Sequence, residues 1–97
     1  MKELIQAIAA GENVRASLSQ LKKEVKTAAG RKECLSLLCG DLTPVTMQLS
    51  SEDPKTRKNA AGVLGELHRQ ESLFPLYEAY QKEETLFVKS AYLEAMQ

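Results

Sequence analysis

The stretch that decides the fold is Asp53-Pro54-Lys55-Thr56-Arg57-Lys58-Asn59-Ala60-Ala61-Gly62-Val63-Leu64-Gly65-Glu66-Leu67. Asp53 is a strong N-cap residue, and Pro54 suits the first helical position, where its missing N–H would have no partner anyway. Ala60, Ala61, Leu64 and Leu67 recur at helical spacing and define one apolar face, with the helix ending near His68. Gly62 and Gly65 would each cost roughly 1 kcal/mol in an isolated helix. Their presence points to a helix whose neighbours come close to its backbone.

Working outward, nearly every segment has helical periodicity and none alternates as a strand would. Upstream, Leu4, Ile5 and Ile8 give a short helix ending at Gly11. Val14, Leu18, Leu21 and Val25, spaced four, three and four apart, stripe a second helix, and Ala28-Ala29-Gly30 is expected to break it. A third helix spans roughly Arg31 to Cys39 and stops at Gly40. Thr43-Pro44 signs the next start as N-cap plus proline, with Val45, Met47 and Leu49 in a short helix. Downstream, Gln70 to Lys82 reads as one helix striped by Leu73, Leu76, Tyr77 and Tyr80. Thr85 opens the last, whose face is Val88, Ala91, Tyr92 and Ala95. The expectation is an all-α chain of seven helices in antiparallel hairpins.

The helices also resemble one another. Shifting residues 56–67 forward by 32 reaches Val88–Gln97, and shifting them back by 25 reaches Arg31–Leu42, with Lys32, Arg57 and Lys89 preceding the apolar run in each. The ends Cys39-Gly40-Asp41-Leu42 and Leu64-Gly65-Glu66-Leu67 match as well. Asp-Pro, an Arg, Ala-Ala and Leu-Gly-x-Leu in this order make residues 53–67 resemble the HEAT-repeat signature, and Leu73–Tyr80 resembles the first helix of the next unit.

The resemblance, closest to short bacterial HEAT-like repeats, implies an armadillo-like α-α superhelix, a solenoid of about three helical hairpins. Residues 1–12 would be a cap helix, 13–41 a degenerate repeat, 42–69 a clear repeat and 70–97 a repeat that looks truncated, as in an N-terminal fragment of a larger protein. It also implies that Asp53 and Arg57 form a charged ladder between hairpins. Three departures stand out: Thr56 where Val or Ile is usual, Glu84-Thr85 in place of Asp-Pro, and Tyr92 in place of a small residue. The last two predict looser packing at that end. All five aromatics (Phe74, Tyr77, Tyr80, Phe87, Tyr92) lie in the last third and are expected in the core or on a docking face for further repeats.

Composition narrows the function classes. Thirteen basic residues balance thirteen acidic ones, so the overall electrostatic footprint of a nucleic-acid binder is missing. The balance is uneven: residues 1–40 carry seven Lys/Arg against four Asp/Glu (+3), and residues 70–97 two against five (−3). No apolar run reaches the ~18–20 residues of a membrane span, and no signal peptide is legible. Cys34 and Cys39, about 140° apart around a helix, suit small core thiols rather than a disulfide, which favours a cytoplasmic setting. One histidine, His68, expected as a helix C-terminal cap, builds no metal site. Neither cysteine has a histidine partner in sequence, and Gly11, Gly30 and Gly40 stand singly. We therefore expect no enzyme activity, no cofactor and no metal.

What is left is a binding surface. The side of the 54–69 helix opposite its core stripe carries Lys55, Lys58, Asn59, Gly62, Glu66 and Arg69, and the matching positions of the last helix include Phe87, Ser90 and Glu94. In HEAT stacks such faces line a concave groove. The resulting expectation is a protein-protein interaction or scaffolding module taking a protein or peptide segment. The alternative is a substrate-positioning arm of a larger enzyme, of the kind fused to nucleic-acid methyltransferases or phycobilin lyases. Lys22, Lys23, Lys26, Arg31 and Lys32 would then touch RNA, and a catalytic domain would follow in the parent protein.

Overall fold

Pro54 and the Asp53 cap act in the structure as their chemistry dictates. In the computed structural model, which describes residues 1–97, Asp53 Oδ2 accepts the Thr56 N–H at 3.2 Å and the Thr56 hydroxyl at 2.7 Å. From that cap α5 (Pro54–Leu67) runs for 14 residues, the longest element of the chain. Around it lie α1 (Lys2–Ala10), α2 (Val14–Glu24), α3 (Ala28–Leu37), α4 (Thr43–Thr46), α6 (Leu73–Lys82) and α7 (Leu86–Ala95). Short 3-10 turns extend α4 over Met47–Ser50 and lead into α6 over Gln70–Ser72. There are no strands, so the all-helical expectation holds.

The helices pack around α5, which lies between α2 and α7. Asn59 Nδ2 on α5 donates to the Arg15 carbonyl at 3.2 Å, Lys22 lies across Gly62, and Lys26 pairs with Glu66 at 3.6 Å. Ascending partners on both helices mean that α2 and α5 run parallel. The pairs Arg57–Glu83 and Gly65–Ala95 set α5 and α7 parallel in the same way. On the other side of the core α1 packs on α2 and α4, and α6 packs on α7 and the 3-10 turn after α4. The core between holds Ile8, Leu18, Leu21, Val25, Cys34, Val45, Leu64, Leu76, Val88 and Tyr92, with Ala60 and Ala61 fully buried.

Several local expectations need correcting. Ala28-Ala29-Gly30 does not break a helix; it forms the first turn of α3, and the break falls at Val25–Thr27. Thr27 caps α3 by accepting the Gly30 N–H at 3.0 Å. Gly30 is there for space: a Cβ would lie 1.8 Å from the Glu24 carbonyl oxygen. Thr43 is inside α4 rather than capping it: Leu42 holds the cap position, and Asp41 just before it accepts the Thr43 N–H and hydroxyl at 3.0 and 2.6 Å. The helical equivalent of Arg57 is Arg31, not Lys32. Both arginines stand four residues after a cap and fold back through Nη1 onto carbonyls five and six residues earlier. Cys39, expected in the core, is exposed in the left-handed region at φ 54, where α3 has already ended.

The C-terminal end is not loose. Glu83 is buried, and its carboxylate takes a bidentate grip from Arg57 (Nε 2.8 Å, Nη2 2.9 Å), the Thr85 N–H at 3.2 Å and the Tyr92 hydroxyl at 3.2 Å. Tyr92 is fully buried because its ring fills the space that a small residue would leave, and its hydroxyl finds this carboxylate. Arg57 thus reaches across to Glu83 just before α7, and Asp53 meets Arg15 of α2 at 3.7 Å. Burial alone would raise the Glu83 carboxyl; hydrogen bonds and charge from Arg57, with the Thr85 and Tyr92 donors, outweigh it and hold it below its ordinary value. Burial and the Glu83 charge push Tyr92 up to about 12.

Two outcomes follow from this packing. A Cβ on Gly65 would sit 2.9 Å from the Ala95 Cα, so Gly65→Ala must push α7 away and should cost about 1–3 kcal/mol in a urea titration. At Gly62 the obstacle is only the flexible end of Lys22, so Gly62→Ala should be neutral or stabilise by up to ~1 kcal/mol. Because the folded-state Glu83 carboxyl titrates below its unfolded value, its contribution is present at neutral pH and lost as pH falls below that of an ordinary glutamate. Arg57→Met should destabilise by on the order of 3 kcal/mol near pH 7, the low end for a buried pair since Arg57 stays partly exposed. Thermal melts of Glu83→Gln should show a flatter loss of stability between neutral and acid pH than the parent.

Candidate functional site

Helical spacing aims a second set of side chains away from the core. On α5, Lys55, Lys58, Gly62 and Glu66 follow one another at steps of three and four, opposite the buried Ala60–Leu64 stripe. Arg15, Ser19 and Lys22 do the same on α2, with Lys26 just past its end, each one residue after a member of the Val14–Val25 stripe. On α7 the matching set is Phe87, Ser90, Ala91 and Glu94. Since the three helices are parallel neighbours, these rows lie side by side and form one surface.

Two adjoining clefts shape that surface. The first, of ≈ 610 Å³, is lined by Arg15, Ala16, Ser19, Lys55, Lys58, Asn59 and Phe87. The second, of ≈ 320 Å³, is lined by Lys22 and Lys26 from the α2 side, by Lys58, Gly62, Gly65 and Glu66 of α5, and by Phe87, Ser90 and Glu94 of α7. Lys58 and Phe87 belong to both, which makes the two a continuous groove. The missing Cβ of Gly62 lets the aliphatic stem of Lys22 lie across α5 and bring its ammonium into the groove.

Of the residues chosen from sequence, Lys55, Lys58, Asn59, Glu66, Ser90 and Glu94 line the groove. Arg69 does not. His68 turns the chain left-handed at φ 53 and ψ 52, so the face of α5 cannot be extrapolated to residue 69, and Arg69 pairs instead with Glu71 at 2.9 Å. His68 thus ends α5 through its backbone conformation. Arg15, Ala16 and Ser19 were missed; the signal was the row displaced by one residue from the Val14–Val25 stripe. Among the basic residues of the first third, Lys22 and Lys26 reach the groove, whereas Lys23, Arg31 and Lys32 are not among its lining residues.

The charges of the groove are unevenly paired. Lys26 meets Glu66 at 3.6 Å and Arg15 meets Asp53 at 3.7 Å, whereas Lys22, Lys55 and Lys58 have no carboxylate within 4.0 Å. The Thr56 hydroxyl bond, assisted by the Arg15 charge, holds the Asp53 carboxyl below its ordinary value, so it is ionised at neutral pH.

The remaining surface differs in character. Leu73, Phe74 and Tyr77 on α6 and Leu86 and Leu93 on α7 are exposed, Leu86 to 80%. Only Leu76 of the expected α6 stripe is buried, because the stripe spans more of the helix circumference than its neighbours cover. Of the aromatics Tyr92 alone is in the core, and Tyr80 is half-buried with Lys89 Nζ 5.2 Å from its ring centre. No three His, Cys, Asp or Glu side chains converge in a way that could hold a metal ion, and no helix is long and apolar enough to cross a membrane.

The chain matches no family model, no curated protein and no solved structure.

The two thiols differ sharply. Burial, with the nearby Glu33 charge, pushes the Cys34 thiol up to about 11, whereas Cys39 lies exposed on the surface. Only thiolates react with a disulfide reagent. Ellman titration of the native protein at pH 8 should therefore label one thiol quickly and the second only on unfolding; a Cys39→Ser variant should lose the fast phase alone.

Proposed function

We propose that this chain is a protein-interaction module built as a short HEAT-like solenoid, with the groove over α2, α5 and α7 as its binding face. The α2–α5–α7 row and the opposing row of α1, α4 with its 3-10 extension, and α6 support three stacked hairpins. The 32 Å longest extent fits three helix layers at about 8–10 Å each. Cross-links between successive helices of the row, Arg15–Asp53 and Arg57–Glu83, support a charged ladder that includes Asp53 and Arg57. In this grouping α1 pairs with α2 and α3 bridges the first two hairpins, a division different from a cap at 1–12 and a repeat at 13–41.

Fold alone does not give function. The observation that carries the reading is the continuous groove with three unpaired lysines at its rim. Both charge signs line it, which suits the varied side chains of a polypeptide better than a uniform phosphate chain. Lys22 and Lys26 in the same groove also favour a second reading, a substrate-positioning arm of a larger enzyme, in which the segment held would be nucleic acid.

A photocrosslinking residue at Ser90 should yield discrete protein adducts in cell extract, and the same residue at Lys32 on α3 should not. Identical adduct patterns from both positions would refute the groove as binding face. Adducts made of RNA would favour the enzyme-arm reading.

A further inference from the structure

We propose that the groove takes an acidic polypeptide segment carrying one aromatic or aliphatic residue, the acidic side chains meeting Lys55, Lys58 and Lys22 and the apolar one resting on Phe87. This rests on the interaction-module reading and adds the chemistry of the partner.

The argument is one of local charge. The chain as a whole is neutral, so long-range attraction does not select a partner, and discrimination comes from the side chains within a Debye length of the groove. Along α5 the groove changes sign: Lys55 and Lys58 at its start, Glu66 near its end. At the positive end α2 adds Arg15, which Asp53 meets at 3.7 Å, and Lys22 follows beside Gly62; no acidic side chain lines the first cleft itself. Glu66 is already matched by Lys26, whereas Lys22, Lys55 and Lys58 have no counter-charge of their own. An acidic segment therefore supplies what this end lacks.

Phe87 supplies the second half of the specificity. It is half exposed, and it is the one large apolar side chain shared by both clefts. Bordered by Lys58, it gives a partner's apolar residue a contact point with cations close by. The same geometry disfavours RNA. A phosphate chain leaving the positive end meets Glu66 and Glu94, and a single phenylalanine stacks one base, where single-strand binders use successive aromatics.

The test is fluorescence anisotropy with a labelled peptide of about ten residues, long enough to cross three helices at 8–10 Å spacing. It is Asp/Glu-rich with one central Phe. Comparison probes replace the acids by Lys, replace Phe by Ser, or are an oligouridylate of similar length. The acidic Phe peptide is expected to bind, and its Ser version to bind several-fold more weakly. The double variant Lys55→Glu/Lys58→Glu should bind the acidic peptide at least about tenfold more weakly, and Lys32→Glu on α3 should leave binding unchanged. Lys55, Lys58 and Lys32 are all exposed, so the fold should survive, as circular dichroism will show. Equal or tighter binding of the Lys peptide overturns the acidic-partner inference and leaves the interaction-module reading intact. Tighter binding of oligouridylate, falling steeply between about 50 and 200 mM salt, overturns both. No binding of any probe up to about 1 mM overturns the acidic-partner inference, and the Ser90 crosslink then decides the other separately.

Discussion

Everything else in the molecule depends on the closeness with which α5 is held by its two parallel neighbours. Its contact with α7 is backbone against backbone at Gly65 and Ala95, and its contact with α2 is mediated by the stem of Lys22 lying in the gap left by Gly62. Ala60 and Ala61, fully buried, keep the opposite side equally lean. A helix with a larger residue at Gly65, Ala60 or Ala61 would hold its packed neighbours farther off, and the rows of outward side chains on α5 and α7 would no longer lie on one surface. The groove is thus a by-product of tight helix packing, and its contents are what three parallel helices present when brought together.

The charge network at the start of α5 and α7 sets the register of that packing. Arg57 uses four of its five N–H donors: two on Glu83 and two on the Ser51 and Glu52 carbonyls just before its own helix. Glu83 in turn ties Tyr92 and the Thr85 N–H into the same cluster. A buried pair of this kind adds little to stability relative to an apolar replacement. It does allow only one sliding position of α7 against α5, and so fixes which side chains face one another across the groove. The ends of the helices hold the alignment that the small residues in their middles make possible.

Both features bear on function in the same direction. The groove has closely packed helix backbone at its floor, at Gly62 and Gly65, and long cationic side chains at its rim. Under the proposed function, such a groove would read a segment by its charge pattern and one anchoring contact. It offers no enclosed pocket, and no side chains within it are arranged as nucleophile and base.

Much of this was legible in the sequence, and the failures have definite causes. Helical class, the Asp53 cap, the buried face of α5 and the need for close packing at Gly65 follow from local chemistry: hydrogen-bonding capacity, the 3.6-residue period and the absence of a Cβ. For the same reason the outward face of α5, with Lys55, Lys58, Asn59 and Glu66, could be chosen from spacing alone. Arg69 was lost because one left-handed residue, His68, ends the helix before it. Arg15, Ala16 and Ser19 could be found only once α2 was known to lie beside α5, and Glu83 became visible as a partner of Arg57 only across a gap of 26 residues. The breadth of the apolar stripe on α6 gave no hint that only Leu76 would be covered, since burial depends on which neighbours arrive. Sequence determines what each helix is and which face it must bury. Which helices meet, in what direction and at what register is decided by long-range packing, and those choices made the groove.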